Sequence, residues 1–285
     1  MSHPSDVGYI GLGSIGKPSA RHLLGKRWRA HVYDLARPAV EELAAEGAVA
    51  AESVAELAHQ CQHIGICVRD DTQVEELLYG PSGIFESAAP GSVICVHSTV
   101  SRAGLLRWAE DATARGLHLI DAAISGGPQG AEAAKLCYMV GGDAAIVERA
   151  RPVFETSADN VIHAGGLGTG MLLKLCNNLI TYAEFLAMSE AVRLAEGGGL
   201  APELLREVGK SNGVINEAMY QFINNRNALA SQCTPAQMDA AFGAFGRLGE
   251  KDLDCALQSA EEMGLELPAT RRLRDQVLAL FLNQA

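Results

Sequence analysis

Residues 8–34 read GYIGLGSIGKPSARHLLGKRWRAHVYD, and their pattern sets the architecture of the amino-terminal half of the chain. An apolar run leads into Gly11, Gly13 and Gly16, spaced as GxGxxG, and an amphipathic segment then leads to a second apolar run that ends before Asp34. This order is typical of a strand, a phosphate-binding turn, a helix and a second strand. The loop predicted to contact a dinucleotide consists of Gly11, Leu12, Gly13, Ser14, Ile15 and Gly16.

Asp34 bears on which dinucleotide binds. Its carboxylate, at the end of the second predicted strand, can bind the hydroxyl groups of an adenine ribose and would repel the 2'-phosphate of NADP. Arg37, a little further along the chain, lies close enough to weaken that repulsion. The sequence therefore favours NAD as the cofactor and leaves NADP open.

Short apolar runs alternate with helical segments through the first 165 residues. Apolar residues recur at helical spacing in segments such as RPAVEELAAEG and RAGLLRWAEDATARG. The predicted strands span residues 7–10, 31–33, 64–68, 93–96, 117–120, 136–140 and 161–163. This alternation predicts an α/β fold, a doubly wound parallel sheet of the Rossmann type, and so a dinucleotide-binding domain over residues 1–165.

From Gly168 the pattern becomes helical. The segment GTGMLLKLCNNLITYAEFLAMSEAVRLAEGGG predicts one long helix that ends at its glycines, and the later segments are helical too. Residues 166–285 are therefore predicted to form an all-helical domain, with GGLGTG (165–170) as the turn between the two domains. A helix this long, with apolar side chains around much of its circumference, predicts an interface and hence a homo-oligomer, a dimer or a tetramer.

Composition and charge exclude several classes of protein. The chain of 285 residues has a formal net charge of −11 and scattered Lys and Arg, which argues against nucleic-acid binding. No run reaches the roughly 18 apolar residues of a membrane span, and the amino terminus lacks a signal-peptide pattern, so we expect a cytoplasmic protein. The seven cysteines include no CxxC pair and are interpreted as buried reduced thiols, with no metal site expected.

Lys174 is the predicted proton-transfer residue. All eight histidines lie at or before His163, so the helical domain has none to offer. Lys174 stands in the apolar stretch MLLKLC, where desolvation and a neighbouring cationic nicotinamide would lower its pKa and leave a neutral amine that accepts a hydroxyl proton. Asn178 follows on the same helical face and can hold the substrate oxygen. A snorkelling lysine and a solvated asparagine at an interface would give the same pattern.

Two further segments carry polar groups suited to an acidic ligand. Ser125, Gly126 and Gly127 can place a hydroxyl and two backbone N–H groups around a carboxylate, although a plain turn has the same sequence features. Lys251, in EKDLDCAL, stands beside Asp252, and that pair is equally consistent with an ion pair on the surface.

Taken together, these segments resemble the β-hydroxyacid dehydrogenase family, which includes 3-hydroxyisobutyrate, tartronate semialdehyde and 6-phosphogluconate enzymes. The resemblance covers essentially the whole chain, and its motifs in combination are far more specific than any one of them. It is carried by IGLGSIG, HSTVS (97–101), DAAISGGPQGAE (121–132), MVGGD, GLGTGMLLKLCNNL and EKDL. It implies an NAD(P)-dependent oxidoreductase that interconverts a small hydroxy acid and its semialdehyde or keto acid.

The resemblance also implies a role for individual residues. By it, Lys174 is the general acid and base and Asn178 its hydrogen-bonding companion. The implied cradle for the substrate carboxylate is Ser125, Gly126 and Gly127. The implied cofactor contacts beyond the glycine-rich loop are Val68, Arg69, Ser98, Thr99 and Lys251.

The chain departs from the family pattern at three places. Ala123 stands where the family often has Pro, an acidic residue is often found near the position of His97, and CVRDDTQ (67–73) replaces a Pro-containing loop. Arg69 is therefore a candidate to reach the substrate. The departures leave the identity of the substrate open, whereas the lysine and asparagine that act on the hydroxyl are both present.

Two alternative functions stay open. An imine reductase shares the fold in related families, but such enzymes usually carry Asp or Tyr where Lys174 stands. A non-catalytic dinucleotide-binding protein that has kept the fold is expected to lose that lysine. A rise in melting temperature on addition of NAD would support any hypothesis in which the chain binds the cofactor, and only substrate turnover would establish catalysis.

Overall fold

The strands of the first half and most helices of the second half belong to separate units of the chain. In the computed structural model, which describes residues 5–25 and 27–284, the first unit ends at Lys174 and the second begins at Leu175. This division falls inside a long helix. The domain boundary predicted after residue 165 stays a prediction, and it coincides with the end of the last strand at Gly165.

The first unit is built on one sheet. Its strands are β1 (Ser5–Ile10), β2 (Trp28–Tyr33), β3 (Val49–Ala50), β4 (His63–Ile66), β5 (Val93–Val96), β6 (His118–Ser125), β7 (Leu136–Gly141) and β8 (Ala158–Gly165). They lie in the order β3-β2-β1-β4-β5-β6-β7-β8, which confirms the doubly wound fold. β3 was not predicted because its two residues are too few to show a periodic pattern.

One strand pair, β6 with β7, is antiparallel, whereas every other neighbouring pair is parallel. The prediction of a parallel sheet is therefore wrong at this position. The reason is the connection, residues 126–135, which is shorter than the dozen or more residues that a parallel crossover needs.

The helices of the first unit occupy the segments that showed helical spacing. They are α1 (Gly16–Arg21), α2 (Arg37–Ala45), α3 (Val54–Gln60), α4 (Asp71–Tyr79), α5 (Ile84–Ser87), α6 (Arg102–Ala114), α7 (Gly127–Glu132) and α8 (Ala144–Phe154). Four of them begin after a side chain that accepts hydrogen bonds from first-turn N–H groups, which fixes where each helix starts. These caps are Ser53, Asp70, Ser101 and Asp143.

The centre of the sheet is buried on both faces. Along β5, Ile94 and Val96 belong to one apolar cluster, and Val93 and Cys95 belong to another. Because successive side chains of a strand point to opposite faces, the two clusters cover the two sides of the sheet.

All regular secondary structure in the described residues of the second unit is helical. Its helices are α9 (Thr169–Gly197), which starts in the first unit, α10 (Pro202–Asn212), α11 (Glu217–Ala230), α12 (Pro235–Met238), α13 (Ala244–Glu262) and α14 (Pro268–Phe281), with a π-helical turn over Asp239–Gly243. The single long helix predicted from Gly168 is confirmed as α9. Its core contains Tyr182, Phe185, Ile223 and Val277. Among the described residues, no helix is both long enough and apolar enough to cross a membrane.

All seven cysteines are free thiols. Cys61 and Cys95 are buried, but Cys176 is exposed and the other four are half-buried. The expectation that the thiols are buried is therefore wrong for Cys176, which lies on the outer side of α9.

Candidate active site

The three glycines of the GxGxxG loop have three different environments. Gly11 has φ +93°, and a Cβ there would lie 2.2 Å from the carbonyl oxygen of Cys67. Gly16 packs so tightly that a Cβ would lie 1.9 Å from the carbonyl oxygen of Gly11. At Gly13, by contrast, no described atom beyond its chain neighbours lies within 4 Å of a Cβ. The first and third glycines close the turn, and the second leaves the backbone open, which fits a bound pyrophosphate.

Asp34 holds this loop from the end of β2. Its Oδ2 accepts a hydrogen bond from the Leu12 N–H at 2.6 Å, and its Oδ1 accepts one from the Ala36 N–H at 2.7 Å. The Arg37 guanidinium donates to the Ala51 carbonyl and to the Glu52 carboxylate, both at 3.3 Å. The carboxylate predicted to bind ribose therefore stands beside the loop, while the neighbouring arginine is drawn toward Glu52.

The glycine-rich loop lies where the strand order reverses, because β1 is flanked by β2 on one side and β4 on the other. The Cys67 N–H donates to the Ile10 carbonyl at 2.8 Å, and the Val68 N–H donates to Ser98 Oγ at 2.8 Å. These bonds join the loops that follow β1, β4 and β5. Doubly wound sheets bind ligands in this crevice outside the carboxyl ends of the strands. The structure thus brings Val68 and Ser98 to the glycine-rich loop.

Arg69 and Thr99 lie on the same two loops. The Arg69 N–H donates to Gln73 Oε1 at 3.0 Å, and its side chain is exposed. Thr99 is half-buried next to Ser98. Their positions match the predicted cofactor side of the unit, and the contacts themselves stay predictions.

His97 directly follows β5 and is buried next to these loops. The ring is buried, donates from Nδ1 to the Ala122 carbonyl at 2.9 Å and stacks on Tyr9 with ring centroids 5.5 Å apart. Burial lowers the pKa of His97 to about 4. This histidine, in a region where the family often has an acidic residue, is therefore a neutral packing group at physiological pH.

Ser125 ends β6, so the first part of DAAISGGPQGAE is strand rather than turn. The predicted strand ended too early because the pairing with β7, which continues to Ser125 opposite Cys137, cannot be read from a local pattern. Gly126 and Gly127 follow with φ +131° and +64°, conformations that favour glycine. Within the described part of the chain, the Ser125 hydroxyl has no hydrogen-bond partner.

Lys174 lies on α9, one helical turn after Gly170. A Cβ at Gly170 would lie 2.4 Å from the Met139 carbonyl oxygen, so the start of α9 lies directly against β7. Burial raises the pKa of Cys137, also on β7, and the positive charge of Lys174 opposes that rise. Cys137 is in turn the register partner of Ser125. The structure therefore brings Lys174 to the strand end that carries the predicted carboxylate cradle.

Asp121, on β6, is a candidate that was not predicted from the sequence. It is fully buried, its Oδ1 accepts from the Gly168 N–H at 2.7 Å, and its Oδ2 accepts from the Met171 N–H at 2.6 Å. Burial raises the pKa of Asp121 to about 6, although these N–H groups oppose the rise. The one signal in the sequence was an acidic residue inside the apolar run HLIDAAI.

In the second unit, Asn178 belongs to a buried polar cluster. Its Nδ2 donates to Asp252 Oδ2 at 2.7 Å, and the Tyr182 hydroxyl donates to the same oxygen at 3.1 Å. The Nζ of Lys251 lies 3.3 Å from Asp252 Oδ1. Because Asn178 and Asp252 are buried, the interpretations of a solvated asparagine and of a surface ion pair are both wrong. Asp252 orients the amide of Asn178.

Two family models together match almost the whole chain. Residues 6–166 match the NAD binding domain of 6-phosphogluconate dehydrogenase, and residues 168–284 match the NAD-binding model of NADP-dependent 3-hydroxyisobutyrate dehydrogenase. A 3-hydroxyisobutyrate dehydrogenase of Pseudomonas aeruginosa is 34% identical over 264 residues, 93% of this chain and 88% of the relative. An NAD-dependent L-serine dehydrogenase of the same organism is 33% identical over 262 residues, 92% of this chain and 87% of the relative.

A solved structure agrees with these relatives. Mycobacterium tuberculosis 3-hydroxyisobutyrate dehydrogenase, determined with L-serine, has a TM-score of 0.82 to this chain at 27% identity. The match covers 99% of this chain and 95% of that one.

The fold and the glycine-rich loop define the class: an oxidoreductase that binds a nicotinamide dinucleotide. Within that class, the chain belongs to the β-hydroxyacid dehydrogenase family. The resemblance inferred from the motifs is confirmed, and with it the shared activity, NAD(P)-dependent interconversion of hydroxy acids and their carbonyl forms.

Proposed function

We propose that this chain oxidises the hydroxyl of a small hydroxy acid and catalyses the reverse reduction, with Lys174 as the proton-transfer residue. The observation that carries the proposal is the juxtaposition of Lys174, Cys137 and Ser125 at one end of β6 and β7. The Ser125 hydroxyl, which has no protein partner among the described residues, and the N–H groups that follow it suit a carboxylate, which the net charge of −11 would otherwise repel.

The substrate carboxylate binds, in this proposal, at the end of β6. The Ser125 hydroxyl donates one hydrogen bond, and the backbone N–H groups of Gly126 and Gly127 supply two more donors without adding charge. The positive φ of both glycines lets the backbone bend around the carboxylate.

Lys174 moves the proton. During oxidation its neutral amine accepts the proton of the substrate hydroxyl, and during reduction its ammonium returns it. A bound nicotinamide supplies the hydride acceptor in the first direction and the hydride donor in the second. Asn178 gives one amide hydrogen to Asp252, which leaves its second amide hydrogen for the substrate oxygen.

NAD is the favoured cofactor in this proposal. Asp34 is placed to accept from a ribose hydroxyl and to repel a 2'-phosphate, and Arg37 is already paired with Glu52. The proposed cofactor contacts are Gly11, Leu12, Gly13, Ser14, Ile15, Gly16, Asp34, Val68, Arg69, Ser98, Thr99 and Lys251.

We also propose a homo-oligomer, a dimer or a tetramer, that acts in the cytoplasm. The support for assembly is an apolar series along α9, with Leu173, Ile180 and Leu194 exposed by 37%, 60% and 80%. The support for the compartment is the seven free thiols, which suit a reducing environment.

A spectrophotometric screen tests the function. Small 2- and 3-hydroxy acids are offered with NAD and separately with NADP to the wild type, to Lys174→Ala and to Lys210→Ala, a surface lysine paired with Glu217. We expect turnover of at least one acid with NAD preferred, a loss of about 1,000-fold in kcat for Lys174→Ala with unchanged cofactor affinity, and wild-type rates for Lys210→Ala.

The result against the proposal is also concrete. A Lys174→Ala variant that keeps its rate would remove the lysine from the chemistry. Failure of every hydroxy acid, with NAD still raising the melting temperature, would favour imine reduction or a binding role.

A further inference from the structure

We propose that Asp121 is the positioning residue for Lys174: its buried carboxylate fixes the first turn of α9 and thereby the place of the lysine along β7. The inference rests on the proposed function for the role of Lys174, and on the contacts of the first unit for the rest.

The carboxylate occupies the amino terminus of α9. Its two oxygens accept from the N–H groups of Gly168 and Met171, at 2.7 and 2.6 Å, across 47 and 50 residues of sequence. The first N–H groups of a helix have no partner within the helix, and the helix dipole places positive charge there. A buried carboxylate with a hydrogen bond on each oxygen is a strong anchor at such a position.

Packing leaves the start of the helix little room to move. A Cβ at Gly141 would lie 2.5 Å from Asp121 Oδ1, and a Cβ at Gly170 would lie 2.4 Å from the Met139 carbonyl oxygen. β7, the Asp121 carboxylate and the first turn of α9 are therefore packed together with no room for an added methyl group.

The anchor is close to the lysine it would position. Lys174 follows Met171 by less than one helical turn, a rise of about 4.5 Å. A shift of the first turn is therefore passed on to the amine, and a misplacement of about 1 Å can reduce a catalytic rate by about 100-fold.

Titratable and charged side chains from several elements lie near the anchor. From α6, the side chain of Arg102 lies 3.7 Å from the Cβ position of Gly168. From β8, His163 Nε2 contacts the carbonyl oxygens of Gly142 and Gly165 at 3.0 and 2.9 Å. His97, after β5, is neutral, and Lys174 lies one turn further along α9.

Protonation of Asp121 weakens the anchor. The added hydrogen occupies one of the two oxygens, so that oxygen no longer accepts from an N–H group of α9. Because burial holds the pKa of this carboxyl at about 6, the reduction rate should fall as the pH drops through about 6. Reduction is the informative direction, since it uses the protonated form of Lys174 and acid does not remove that form.

Asp121→Asn is the test, and Asp143→Asn is its matched control. Asp143 also caps a helix with its carboxylate, accepting from Ala145 and Ile146 at 2.9 and 3.3 Å, but α8 carries none of the proposed site residues. We expect Asp121→Asn to lose at least about 10-fold in kcat, to keep its affinity for NAD within about twofold, and to lack the fall in rate near pH 6. Amide hydrogen exchange of residues 169–174 should be faster in Asp121→Asn and unchanged in Asp143→Asn.

Each outcome decides the inference. It is overturned if Asp121→Asn keeps the wild-type kcat, if its exchange over residues 169–174 is unchanged, or if Asp143→Asn loses as much kcat. If Asp121→Asn does not fold, the wild-type profile decides, because a reduction rate that is flat between pH 5 and 7 contradicts the proposal. If the wild type reduces no carbonyl substrate, the proposed function fails, and the exchange measurement alone still decides whether Asp121 anchors α9.

Discussion

Two turns of this chain look alike in sequence and differ in what faces their helices. GLGSIG (11–16) and GLGTG (166–170) each follow a strand and open a helix. Each ends in a glycine pressed against a backbone carbonyl oxygen, with a Cβ position 1.9 Å away at Gly16 and 2.4 Å away at Gly170. The glycine pattern therefore marks close packing of a helix on a strand in both places.

The difference lies at the helix amino termini. α1 has no side-chain cap, whereas the first N–H groups of α9 are taken by Asp121. One helix end is free to face a phosphate from outside, and the other is filled by a carboxylate of the protein itself. A glycine-rich turn thus indicates a ligand site only when no internal anion occupies the N–H groups.

The largest expected effect is a loss of stability when the closely packed glycine of either turn is replaced. Gly16→Ala and Gly170→Ala should each lower the free energy of unfolding by about 3 kcal/mol, because the new Cβ meets a backbone oxygen that cannot move aside. Gly197→Ala, a helical glycine with no described atom near its Cβ position, should raise that free energy by about 0.5 kcal/mol. Urea unfolding measures all three, and a neutral Gly170→Ala would break the parallel between the turns.

The next largest effect is on NAD affinity, because only the turn at residues 11–16 is expected to bind the pyrophosphate. Gly13 and Gly166 both have open Cβ positions and no positive φ, so Gly13→Val and Gly166→Val should both fold normally. Gly13→Val should weaken NAD binding by about 50-fold, about 2.3 kcal/mol, because the side chain fills the space of the pyrophosphate. Gly166→Val should bind NAD as the wild type does. Titration of each variant with NAD measures this, and equal losses would show that the turns are not distinct.

The smallest effect concerns the internal carboxylate. The pKa of Asp121 is about 6 in the folded chain, above the ordinary aspartate value of 3.8, so the folded state binds more protons than the unfolded state between about pH 4 and 6. The free energy of unfolding should therefore fall as the pH rises through this window, by up to about 2 kcal/mol, and Asp121→Asn should lack that contribution. Unfolding curves of both proteins from pH 4 to 7 measure the difference, and parallel profiles would contradict it.

The features predicted correctly from the sequence are those that depend on residues close together in the chain. The GxGxxG loop, seven of the eight strands and α9 follow from spacing within short segments. Lys174 and Ser125 were chosen from their immediate surroundings; in the structure Ser125 is the register partner of Cys137, and the charge of Lys174 opposes the rise in the pKa of Cys137.

The features that were missed depend on distant pairing. The reversal of β7 follows from the length of a connection, and the extension of β6 follows from its partner strand. Asp121 contacts residues 47 and 50 positions away, and Asn178 binds Asp252 across 74 positions. Patterns within a window of a dozen residues carry no trace of such contacts.

The reversal of β7 also makes the position of Lys174 depend on the length of one segment. Because β7 runs against β6 and β8 runs with β7, the chain reaches Gly165 running opposite to β1, although the register of the sheet puts Gly165 level with Ile10, next to the glycine-rich loop. α9 has to travel back along β7, past Met139 at Gly170, before Lys174 comes level with Cys137. One residue inserted between Gly168 and Lys174 would turn the lysine by about 100° and advance it by about 1.5 Å. An insertion or deletion in this first turn and a half of α9 is therefore expected to displace Lys174 without changing any residue of the site.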